Sequence, residues 1–82
     1  MKHAGEDALD KLEELLVEIR QLQSLKEKKR GVFYRKSQAF LHFHEDQNQL
    51  FADVRTGEDW ERFSVNTKAE QIGLLNQIRL HL

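Results

Sequence analysis

The spacing of apolar side chains changes twice along this chain, and those two changes constrain the fold more than any other feature. Up to Gly31 apolar residues recur at every third or fourth position, between Gly31 and Thr67 at every second, and after Thr67 the longer spacing returns. A period near 3.6 marks one face of a helix and a period of 2 marks one face of a strand, so helix, sheet, helix is the predicted order.

In the first segment Ala8, Leu12, Leu15, Ile19 and Leu22 form the series, with Leu9, Leu16 and Leu25 beside it. Acids crowd its start (Glu6, Asp7, Asp10, Glu13, Glu14) and bases its end (Lys26, Lys28, Lys29, Arg30), which complements a helix dipole. Gly31 is placed to end the helix in the left-handed conformation. The prediction is one helix over 6–30 behind a disordered tail over 1–5. A helix of about 24 residues would run about 36 Å, longer than the roughly 20 Å that short strands cover, so part of it is expected to overhang the sheet or meet a second copy.

Period 2 then predicts four strands, Val32–Arg35, Gln38–Glu45, Gln49–Arg55 and Trp60–Val65. Closing the middle hairpin at Gln47-Asn48 pairs Phe43 with Ala52 and Leu41 with Val54, apolar against apolar. The opposite face then pairs His44 with Phe51, His42 with Asp53 and Phe40 with Arg55, and a slip of one residue would spoil every pair. A four-residue loop at Thr56–Asp59 sets Asp53 opposite Arg62, Arg55 opposite Trp60 and Phe63 beside Ala52. Thr67 followed by Glu70 is a capping box that opens a last helix over 67–81, with Ile72, Leu75, Ile78 and Leu82 as its stripe. The expected architecture is α+β, in the order αββββα, as a single domain over 1–82 with a four-stranded antiparallel meander.

Composition narrows the function classes. The chain has 82 residues and no cysteine, which excludes disulfides, thiol catalysis and cysteine-based zinc sites and fits a reducing compartment. No apolar run approaches the roughly 18 residues of a membrane span, and no signal-like core follows Lys2, so a cytoplasmic location with no membrane partner is expected. A net charge of −1 gives no overall pull toward nucleic acid. A domain this small buries little core, and sharing core with a second copy is one remedy. A homodimer, or pairing with another protein, is therefore expected, with Leu12, Leu15, Ile19 and Leu22 carrying self-association.

Three chemical readings compete on the sheet. His42 and His44 stand two apart on one side of a strand with Asp53 across from His42, and imidazoles with a carboxylate can hold a transition metal. The same face carries Phe40, Phe51, Trp60, Arg55 and Arg62, aromatics among arginines that could stack single-stranded nucleic acid. That face could also be buried against protein. The basic run from Lys26 to Arg30, continued by Arg35 and Lys36, could touch phosphates but reads first as a complement to the helix dipole. No serine sits in a Gly-rich elbow and no phosphate loop exists, so no enzyme, no catalytic residue and no cofactor is expected. The favoured function is a self-associating interaction or structural module, with nucleic-acid binding and a metal site as alternatives.

The run from Gly31 to Asp46, including Phe33-Tyr34-Arg35-Lys36-Ser37 and Phe40-Leu41-His42-Phe43-His44-Glu45-Asp46, followed by Leu50-Phe51-Ala52-Asp53-Val54-Arg55, resembles a group of small uncharacterised bacterial proteins. The resemblance covers about the last two-thirds of the chain and implies a bacterial source, but carries over no activity. A fainter likeness, in the pattern of aromatic-rich hairpins, is to the sheet of TfoX N-terminal and YjbR-like domains.

Overall fold

The computed structural model describes Met1–Leu82. In chain order it contains β1 (Lys2–His3), α1 (Glu6–Lys11), α2 (Glu13–Arg20), β2 (Leu25–Lys29), β3 (Val32–Arg35), β4 (Gln38–Asp46), β5 (Gln49–Thr56), β6 (Asp59–Ser64) and α3 (Lys68–Leu80). The class is α+β, with an antiparallel meander ordered β2-β3-β4-β5-β6 and β1 paired to the far end of β4. The buried residues of all three helices, among them Leu9, Leu16, Ile19, Leu74 and Ile78, join Phe33, Leu41, Phe43, Ala52 and Val54 in one core. Strand alternation therefore turns His42, His44 and Asp53 to the face that no helix covers.

The middle of the sheet follows the predicted register. Leu41 pairs Val54, His42 pairs Asp53, Phe43 pairs Ala52 and His44 pairs Phe51. Ala52 pairs Phe63, Asp53 pairs Arg62 and Arg55 pairs Trp60. The last connection is tighter than predicted, because Thr56 pairs Asp59 and leaves only Gly57-Glu58 between them. Gln47 and Asn48 both have positive φ, 49° and 66°, as a two-residue hairpin turn matched to strand twist requires. The capping box forms as predicted: Glu70 N–H donates to Thr67 Oγ1 at 3.1 Å, and Thr67 N–H donates to Glu70 Oε1 at 3.2 Å.

Three expectations need correction. The single helix over 6–30 is two short helices and a strand, and the sheet has six strands rather than four. The helical stripe does run to Ile19, but with a break at Leu12 that keeps Leu9, Leu12, Leu15, Leu16 and Ile19 on the sheet. From Leu25 the chain extends, with Leu25 and Glu27 turned in and Lys26, Lys28 and Lys29 out, and pairs with β3, whose edge would otherwise lie bare. Gly31 has the predicted left-handed backbone, φ 81°, yet it closes the β2–β3 hairpin instead of a helix. The tail is no disordered segment at residues 2–3: Lys2 pairs Glu45, His3 pairs His44, and the Gly5 N–H donates to Glu45 Oε2 at 2.7 Å.

The third correction concerns Phe40, expected on the histidine face. The β3–β4 pairing steps from Phe33–Leu41 to Tyr34–Ala39, so Phe40 is the extra residue of a bulge. The bulge breaks alternation and leaves Phe40 buried in the core next to Leu41.

A candidate metal centre on the uncovered sheet face

The site is built across four strands. β4 supplies His42 and His44, β1 lays His3 against His44, β5 sets Asp53 against His42, and β6 sets Arg62 against Asp53. Each of these residues occupies an outward position because its neighbour in sequence, such as Phe43, Ala52 or Phe63, points to the core.

The three imidazoles converge. One ring nitrogen from each of His3, His42 and His44 can be chosen so that all lie within 4.8 Å of one another. His44 Nε2 is 2.9 Å from His42 Nδ1 and 3.2 Å from Asp53 Oδ2. The rings of His3 and His44 stack at 4.6 Å, and the rings of His42 and His44 meet edge-on at 4.8 Å. On the far side the Trp60 and His42 rings meet edge-to-face with centroids 4.7 Å apart, and the Arg55 guanidinium lies 4.5 Å from the Trp60 ring centre.

Asp53 anchors this arrangement. It is the one buried charged residue, 7 % exposed, and such a carboxylate must be paired. Arg62 pairs it in the two-pronged way that suits a guanidinium, donating from Nε to Oδ1 at 2.7 Å and from Nη2 to Oδ2 at 2.8 Å. Burial pushes the Asp53 carboxyl up, but the Arg62 hydrogen bonds and charge outweigh it and hold the group below its ordinary value. Burial pushes both central histidines down: His44 adds to the effect on His42, and Asp53 opposes it on each. Near neutral pH both rings are uncharged, the state in which imidazole ligates metals.

A neutral ring carries one proton. His44 Nε2 faces two acceptors, Asp53 Oδ2 and His42 Nδ1, so the hydrogen-bond pattern assigns the proton to Nε2. His44 Nδ1 is buried without a hydrogen bond of good geometry, while the Lys2 backbone beside the ring favours its protonated form. Buried polar atoms without a partner are uncommon, and this one lies in the middle of a histidine cluster.

The structure thus brings together His42, His44 and Asp53 of the predicted metal set and adds His3, which the sequence reading missed. A two-residue strand is too short to carry a period, so only the pairing with β4 reveals it. Of the residues predicted for nucleic acid, Phe51, Trp60, Arg55 and Arg62 share the uncovered face and Phe40 does not. Arg62 bonds Asp53 through Nε and Nη2, and Arg55 bonds the Ala39 carbonyl through Nε at 2.7 Å, so each guanidinium is engaged in part. Of the residues predicted for self-association, Leu12, Leu15 and Ile19 are buried in the chain's own core, and Leu22 packs against it while remaining partly exposed. The surface concavities lie elsewhere: between α2 and α3, beside the β4–β5 turn, and around Arg35 and His81. No helix is long and apolar enough to cross a membrane. No family model, curated protein or solved structure matches the chain.

Proposed function

We propose that this domain binds a divalent transition metal ion, of the zinc class, through His3, His42 and His44. The observation that carries the reading is the convergence of three ring nitrogens from two neighbouring strands. Zinc–nitrogen bonds of about 2.0–2.1 Å in a tetrahedral site put donor atoms about 3.3–3.4 Å apart. Ring nitrogens within 4.8 Å of one another reach that spacing through small side-chain rotations. His3 is exposed on a two-residue strand, so it has the freedom to close the remaining distance. Asp53 supports the reading as the carboxylate that orients a ligating histidine, and Arg62 fixes Asp53 in turn.

Titration calorimetry with zinc tests the proposal. One ion per chain is expected, with His42→Ala and His44→Ala each abolishing the tight phase and His3→Ala weakening it. Absence of binding, or binding unchanged in both His42→Ala and His44→Ala, would leave the cluster as a purely hydrogen-bonded network.

A second reading is association through the helical layer, which Ile72 favours: it is 52 % exposed and lines the groove between α2 and α3. Sedimentation of the parent protein and of Ile72→Glu checks it. A concentration-dependent dimer that the substitution abolishes is expected, and a monomer at all concentrations removes the reading.

A further inference from the structure

The chemistry of the ion's remaining coordination position follows from where its ligands stand. We infer that the metal keeps one coordination position open toward solvent and that this position takes an oxyanion, a carboxylate or a phosphate, in exchange for water. The inference rests on the metal reading above.

Ligands that rise from one face of a sheet occupy one side of an ion. His3, His42 and His44 all stand on the uncovered face of β1 and β4, and every helix lies on the other face. A fourth protein ligand would have to come from above that face, where the chain has no element. The nearest other donor, Asp53, belongs to β5 within the sheet. Both its oxygens are already bound by Arg62, and Oδ2 also faces His44. Three protein ligands with a water in the fourth place is the pattern of an open zinc site, in contrast to the closed four-ligand sites that serve structure alone.

Charge decides what replaces the water. Three neutral imidazoles leave the ion's two positive charges uncompensated among its direct ligands. The carboxylate nearby is matched by Arg62. The rest of the face sets two cations, Arg55 over Trp60 and Lys28 over Tyr34 at 5.2 Å, against one exposed carboxylate, Asp46, on the same side of β4. Arg62 uses Nε and Nη2 on Asp53, so its Nη1 is left to donate outward, and its side chain is 47 % exposed. An anion with two oxygens can therefore bind the ion with one and approach this basic surface with the other.

The test uses the full chain loaded with cobalt(II), whose visible spectrum reports coordination. Thiocyanate, acetate and inorganic phosphate are each titrated to tens-of-millimolar concentration. Saturable shifts of the visible bands with one anion bound per cobalt are expected, and the order of acetate and phosphate separates a carboxylate-selective from a phosphate-selective position. A cobalt spectrum that depends on His42 and His44 yet stays unmoved by every anion overturns the open position while leaving the metal reading standing. Failure of cobalt to bind overturns the metal reading itself. Asp53→Asn supplies the internal control: if the anions shift its spectrum but not that of the parent, Asp53 fills the fourth place and the inference fails. Should that variant not fold, the parent titration alone decides.

Discussion

Asp53 and Gly31 show how far one position can be pushed. At Asp53 the substitution to Asn keeps the shape but removes the charge that holds Arg62 and faces His44. Loss of a charge-assisted pair with one buried partner costs about 1–3 kcal/mol, and the lower part of that range applies because Arg62 is half in water. Urea denaturation measures that loss. Zinc affinity is expected to fall about 10–100-fold in the same variant, as it does when a carboxylate that orients a ligating histidine is removed. Gly31 adopts φ 81°, and a Cβ there would stand 2.7 Å from a Leu9 methyl. Gly57 adopts φ 73° with nothing within 4 Å. Alanine at Gly57 therefore meets only backbone strain, about 1 kcal/mol, while alanine at Gly31 adds a clash in the core. Melting temperatures should fall in the order parent, Gly57→Ala, Gly31→Ala, and equal losses would show that Leu9 yields freely.

Among the elements, the hairpins were legible and the first third of the chain was only partly so. The β4–β5 register could be counted out because one slip exposes Leu41, Phe43, Ala52 and Val54 together. The bulge at Phe40 could not, because Phe40 and Leu41 are both apolar and alternation gives no reason to prefer either. In the run from Leu25 to Lys29 a single inward Leu follows a helical series, and five residues fit a helix end as well as a strand. What decides for the strand is tertiary: pairing with β3, and the contacts of Glu27. That carboxylate accepts Arg20 Nε at 2.6 Å and the Gly31 N–H at 2.9 Å, tying the end of α2 to the β2–β3 hairpin. Burial pushes Glu27 up, but the Arg20 and Gly31 hydrogen bonds outweigh it and hold the group below its ordinary 4.5. A carboxyl whose folded value is depressed stabilises the fold above its unfolded value and loses that contribution as pH falls toward the folded value. Stability should therefore decline as pH drops below about 4.5, and Glu27→Gln should flatten part of that decline in denaturation curves taken across the acid range. An unchanged acid profile in the variant would show that the α2–hairpin tie contributes little.

At the scale of the whole molecule, all three helices serve one face of the sheet, and the other face is left to side chains from β1, β4, β5 and β6. The proposed ligands are unequal in how they are held. His42 and His44 sit in the long central strand β4, flanked by paired strands, and their positions belong to the folded sheet. His3 belongs to a two-residue strand tied down by its pairs with β4, the Ala4 N–H to Phe43 carbonyl bond at 3.0 Å and the Gly5 N–H bond to Glu45. So short a segment opens at small free-energy cost, well below that of global unfolding. A metal ion held by residues 3, 42 and 44 closes a loop of some forty residues and joins the loosest part of the fold to the firmest. Zinc should accordingly slow hydrogen exchange at the Ala4 and Gly5 amides more than at any amide of β4 or β5, and raise the melting temperature in step with free zinc. His3→Ala should keep the fold and abolish the protection at Ala4 and Gly5, because the ion can no longer reach the first strand. Equal protection in the variant would mean that β1 owes nothing to the metal and that His3 is a bystander to a two-histidine site.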